Sequence, residues 1–134
     1  MRHLASILFV FFIATIIGCG PKAPYDLVLL EGVVTYAGKP VTKDFRLEFL
    51  SADGKRPSSA FIKQDDGKFV AVHTVSQDGV PIGKCKVTIM WGGDIGTSPP
   101  AEYEPMLKKY GFGTEGLTLE FTKNDRKYKL DFPE

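Results

Sequence analysis

Gly83-Lys84-Cys85-Lys86-Val87-Thr88-Ile89-Met90-Trp91 alternates in character along its whole length. Cys85, Val87, Ile89 and Trp91 hold one set of positions, and Lys84, Lys86 and Thr88 hold the other. A β-strand sends successive side chains to opposite faces, so this order predicts a strand with one face in a core and one in water. Upstream, Phe45-Arg46-Leu47-Glu48-Phe49-Leu50 repeats the pattern, with Phe45, Leu47 and Phe49 inward and Arg46 and Glu48 outward. Further strands are expected over 27–36, 59–63, 68–72, 117–121 and 127–132, divided by turn signals at Ala37-Gly38-Lys39-Pro40, Asp53-Gly54, Asp65-Asp66-Gly67 and Lys123-Asn124-Asp125. No segment has a sustained helical period. Seven short strands of this kind predict an all-β protein, a seven-stranded antiparallel β-sandwich. The one long interruption, Gly92 to Gly116, is rich in proline and glycine, with room for one helical turn near Glu104 to Lys109.

The N-terminus is different in kind. Met1-Arg2-His3 precedes an uncharged apolar run from Leu4 to Ile17. As a helix this run would extend roughly 21 Å at about 1.5 Å per residue, too short for a hydrocarbon core about 30 Å thick. A basic start and a short apolar stretch fit a secretion signal instead. Ile16-Ile17-Gly18-Cys19 resembles the lipobox of bacterial lipoproteins. That resemblance implies cleavage before Cys19, diacylglycerol on its sulfur and acylation of the freed amine. Two or three acyl chains make a stable anchor where one does not. The expected organisation is a signal peptide over 1–18, a lipidated cysteine and linker over 19–26, and the β-domain over 27–134. The expected location is the bacterial cell envelope, facing the periplasm or exterior. Gly20, in place of an acidic residue after the cysteine, resembles the pattern sent to the outer membrane.

Composition narrows the chemistry. The chain has 17 basic and 16 acidic residues, and loss of Arg2 with the signal leaves 16 of each. No net positive field and no basic run exist to attract nucleic acid. Cys19 is taken by lipid, so Cys85 has no partner for an internal disulfide. His73 is the one histidine outside the signal.

Other stretches carry a second resemblance. Gly32-Val33-Val34-Thr35-Tyr36-Ala37-Gly38-Lys39-Pro40-Val41 is similar to the G-x-V-T-x-x-G-K-P opening of carboxypeptidase regulatory-like domains in small bacterial lipoproteins. Asp65-Asp66-Gly67-Lys68-Phe69, Pro81-Ile82-Gly83-Lys84-Cys85-Lys86-Val87-Thr88-Ile89, Pro100-Ala101-Glu102-Tyr103 and Thr114-Glu115-Gly116-Leu117-Thr118 resemble later motifs of that family, in order. The resemblance implies a prealbumin-like (transthyretin-like, Greek-key) sandwich without catalytic residues. Cys85 stands where a tyrosine is usual, Glu115 where a serine is usual, and 106–113 resembles an insertion. The isourate hydrolase of the same fold needs several histidines and a different C-terminus from Lys129-Leu130-Asp131-Phe132-Pro133-Glu134. Related domains crosslink a first-strand lysine to a last-strand Asn or Asp, but 27–36 holds no lysine to meet Asp131.

The remaining candidates are few. Asp65-Asp66-Gly67 lacks the alternating ligands of a calcium loop and reads as a turn. His73 has no second histidine for a metal site. Ser58, Ser59, Ser76 and Ser98 carry no nucleophile-elbow motif to go with it. Cys85 lies on the strand face shared with Val87 and Ile89 and reads as core filler. No metal, cofactor or catalytic group is expected. Trp91, Tyr103, Tyr110 and Phe112 bracket the long loop and are the candidate binding residues. They would stack on sugars or anchor a protein contact, or fold back to close the end of the sandwich, which a small domain needs. The expected partners are the membrane, through the N-terminal lipid, and an envelope protein or a glycan.

Overall fold

The computed structural model describes residues 22–134. The expected signal over 1–18, the expected lipid site Cys19 and the start of the expected linker lie outside the described residues. Among those residues, no helix is long and apolar enough to cross a membrane.

The domain is a β-sandwich. The strands in chain order are β1 (Leu27–Val28), β2 (Glu31–Tyr36), β3 (Lys39–Pro40), β4 (Phe45–Ser51), β5 (Ser58–Phe61), β6 (Lys68–Val70), β7 (Val72–Thr74), β8 (Gln77–Asp78), β9 (Val80–Pro81), β10 (Gly83–Trp91), β11 (Leu117–Phe121) and β12 (Lys127–Phe132). One sheet has the order β11-β10-β4-β5-β7-β8; the other is β12-β2-β3 with β6 also on β2; β1 and β9 form a short separate ladder. All seven expected strands are present. Several are divided because a continuous extended run changes its hydrogen-bonding partner. The 27–36 run pairs with β9 first and with β6 and β12 afterwards.

The alternation sorts the core as expected on the central strands. Phe45, Leu47 and Phe49 of β4 are sealed against Cys85, Val87 and Ile89 of β10, which lies antiparallel beside it. Phe121, Leu130 and Phe132 complete the layer from the last two strands. Burial of each large apolar side chain contributes about 1.5–3 kcal/mol.

Four features differ from the sequence expectation. β12 runs parallel to β2 over the whole of Lys127–Phe132. The turn before β12 carries the chain from one sheet to the other, and alternation holds no information on strand direction. Gly32 faces this pair, where a Cβ would lie 1.8 Å from the Tyr128 carbonyl oxygen. The Asp65-Asp66-Gly67 turn does not close a simple hairpin. β5 bonds the following run only at Ser59 with Val72, while β6 leaves for β2. Gly67 permits this with φ +70, in a place where a Cβ would meet the Val34 carbonyl at 2.4 Å. Thr88, expected in water, is buried, because Gly116 comes back over the outer side of β10. The long connection also holds more helix than one turn, a 3-10 turn over Ala101–Tyr103 running into α1 (Glu104–Tyr110) with Pro105 near its start.

Phe45 sits where β4, β10 and the helical connection meet, edge-on to Trp91 at 5.1 Å and to Tyr103 at 4.9 Å. A Phe45→Ala variant is expected to lose about 3–5 kcal/mol of stability, read as a lowered urea midpoint with an unchanged slope.

Candidate functional site

The expected loop site is largely a lid. Tyr103 and Tyr110 are buried. Tyr103 packs on Phe45 and Tyr36, and its hydroxyl accepts the Thr42 N–H at 3.3 Å. Tyr110 lies 5.1 Å from Phe132 and donates its hydroxyl proton to the Pro133 carbonyl at 2.9 Å. Met106 is sealed between them in the chain. These side chains close the sandwich end formed by the termini of β2, β4, β10 and β12, so two of the four candidate rings are unavailable to a ligand. Trp91 is half-buried, with its indole N–H given to Thr97 Oγ1 at 3.3 Å. Phe112 alone presents a largely free ring, 77% exposed.

Folding brings together a group that spacing does not reveal. Ser58 Oγ lies 2.8 Å from His73 Nδ1, and the Tyr25 hydroxyl lies 3.0 Å from His73 Nε2. Tyr25 also accepts the Arg56 N–H at 3.1 Å, and its ring meets the imidazole edge-on. Ser58 is one of several serines, among which composition cannot choose, and Tyr25 passes unnoticed. Ser58 and His73 are both buried, and each imidazole nitrogen faces a hydroxyl. The three side chains form a hydrogen-bonded clasp. The clasp fastens the segment at Tyr25 onto β5 and β7, helped by the Ala23 N–H donated to Gln77 Oε1 at 2.8 Å. Cys85 is equally enclosed, and burial pushes its thiol pKa up, away from the reactive thiolate.

A larger open feature of the surface lies elsewhere. A groove of about 1170 Å³ runs along the outer side of β2, β5, β6 and β12. Phe61 at 51%, Val70 at 54% and Val72 at 40% exposure line it, and all three stand where a strand's outward face would ordinarily be polar. An apolar strip of this kind marks a contact surface more often than a lone exposed side chain does. Lys63, Lys68, Lys127 and Lys129 stand around it against Glu31 and Asp66. Asp66 is paired with Lys68 Nζ at 3.1 Å, and the Lys68 N–H, then its ammonium, hold this carboxyl below its ordinary pKa. Lys63, Lys127 and Lys129 enter no ion pair among the described residues. The rim is therefore net positive on a protein whose net charge is only +1. Out-of-phase apolar residues at Phe61, Val70 and Val72 were the sequence signal for this groove.

Burial, and secondarily the Arg56 charge, hold the His73 pKa below its ordinary 6.5. The native state thus favours neutral imidazole, while the unfolded chain takes up its proton near 6.5. Stability from this residue is complete above that pH and declines as pH falls below it, until native His73 itself titrates. Urea midpoints are expected to be flat above pH 6.5 and to fall as the pH drops below it, and His73→Gln should remove that slope.

The chain matches no family model, and no curated protein or solved structure is significantly similar to it.

Proposed function

We propose that this chain is a non-catalytic β-sandwich held at a membrane surface of the bacterial envelope by lipid on Cys19, and that it acts by binding another envelope component. The observation that carries the interaction role is the groove, an apolar strip with an uncompensated basic rim. The anchor rests on the lipobox resemblance of Ile16-Ile17-Gly18-Cys19 and on Gly20, which favours the outer membrane. The clasp at Tyr25 supports it as well, since the domain is then held close to the residue that carries the lipid. Seven strands in the expected order are compatible with a carboxypeptidase regulatory-like domain and are the support for that assignment.

A glycan-binding reading retains one observation in its favour, the exposed Phe112 ring beside the partly open Trp91. With Tyr103 and Tyr110 in the core this is a narrow platform. Titration with a panel of envelope glycans, followed by Trp91 fluorescence, separates the two; a saturable response would favour the glycan.

The anchor has a direct test. Cys19→Ser should shift the protein from the membrane pellet and detergent phase to the soluble fraction, with its urea midpoint unchanged. Retention in the pellet would sink the lipid assignment.

A further inference from the structure

The groove has a backbone feature as well as a chemical one. β5 is bonded along one side to β4, from Arg46 with Phe61 to Phe49 with Ser58. On its other side it meets the next run at a single pair, Ser59 with Val72. β6 is bonded to β2 through Lys68, Phe69 and Val70, and to no strand on the side that looks toward β5. The two strands therefore part beyond Ser59 and leave two facing edges without ladder partners among the described residues. Phe61 and Val70 stand on those edges, both more than half exposed. Open strand edges are usually covered or blunted, since they pair readily with any extended chain.

The geometry points to an extended acidic polypeptide segment as the occupant, added as a strand along the open edge of β5. This rests on the interaction role proposed above and names its partner class. Main-chain hydrogen bonds to an added strand supply affinity, and alternate side chains supply selectivity. Here the selectivity is legible. Phe61 and Lys63 share the outward face of their run, and Val70 and Lys127 share a face through their common partner Glu31. Outward side chains of the added strand therefore meet Lys63, Lys127 and Lys129 at the rim of the apolar strip, which calls for Asp or Glu; those between them turn toward the groove floor at Ala60 and Phe69, which calls for apolar residues. A sugar chain would leave the backbone edges and the apolar strip unmatched, and a flat bilayer would not enter a groove.

The test uses the purified mature chain and two peptides of about eight residues, one alternating valine with glutamate and one alternating valine with lysine. Amide hydrogen exchange and NMR shifts are read along 59–63 and 68–72. The acidic peptide is expected to slow exchange at Phe61 and Lys63, to bind more weakly as salt rises, and to lose about tenfold in affinity on K127E/K129E. A proline at its centre should abolish binding. Equal binding of the basic peptide, shifts confined to other surfaces, or no shift at millimolar peptide would each overturn the acidic-strand assignment. The interaction role is judged separately by a photo-crosslinker at Phe61 in cells. A captured partner without an acidic extended segment overturns the peptide class and leaves that role standing; loss of both results overturns the role itself.

Discussion

Residues 68–74 form one extended run that belongs to both sheets. Lys68, Phe69 and Val70 are bonded to β2, while Val72 is bonded to β5 and β8. At the change of partner Ala71 is fully buried, its N–H given to the Leu30 carbonyl and its own carbonyl accepting the Gly79 N–H. Both polar groups of a buried residue are thereby satisfied without either sheet. The crossing ties the layers together covalently, aims Phe69 and His73 inward, and swings β6 away from β5. The core, the clasp and the groove all follow from that one change of direction.

The two ends of the molecule treat apolar residues in opposite ways. At one end Tyr103, Met106 and Tyr110 are drawn in over Phe45 and Phe132, and the tyrosine hydroxyls find partners that make their burial tolerable. Along the groove, Phe61, Val70 and Val72 remain in solvent although the same hydrophobic driving force acts on them. The difference is geometric. The long connection is free to fold over the sandwich end, whereas the groove is bounded by strands whose directions are already fixed by their ladders on the far side. The Arg46 guanidinium, 5.5 Å over the Phe61 ring, covers only part of that strip.

Electrostatics adds a second asymmetry. Net charge is only +1, so the protein as a whole carries little long-range field. Local charge is not balanced, and the unpaired lysines stand beside the exposed apolar strip. Lysine on a strand edge discourages indiscriminate pairing between copies of one chain. The same residues select among foreign strands by sign, so protection against self-association and selectivity for an acidic partner are served by one arrangement.

Much of the fold was legible in the sequence because period-two alternation reports directly on which face a residue occupies. Phe45, Leu47, Phe49, Cys85, Val87 and Ile89 were assigned inward from their spacing and are inward. Alternation says nothing about direction or partner, so the parallel β2–β12 pair and the transfer of β6 to the second sheet were decided by the tertiary structure alone. Thr88 obeyed its strand's phase but was covered by a distant glycine. Ser58, His73 and Tyr25 are separated by 15 and 48 positions, and no local pattern links them. What the sequence determined by itself was the strand set and its inner faces, through a purely local periodicity. Only the tertiary structure decided which aromatics close the core, which polar groups meet, and where two strands part to leave an open edge, because each depends on contacts between residues far apart in the chain.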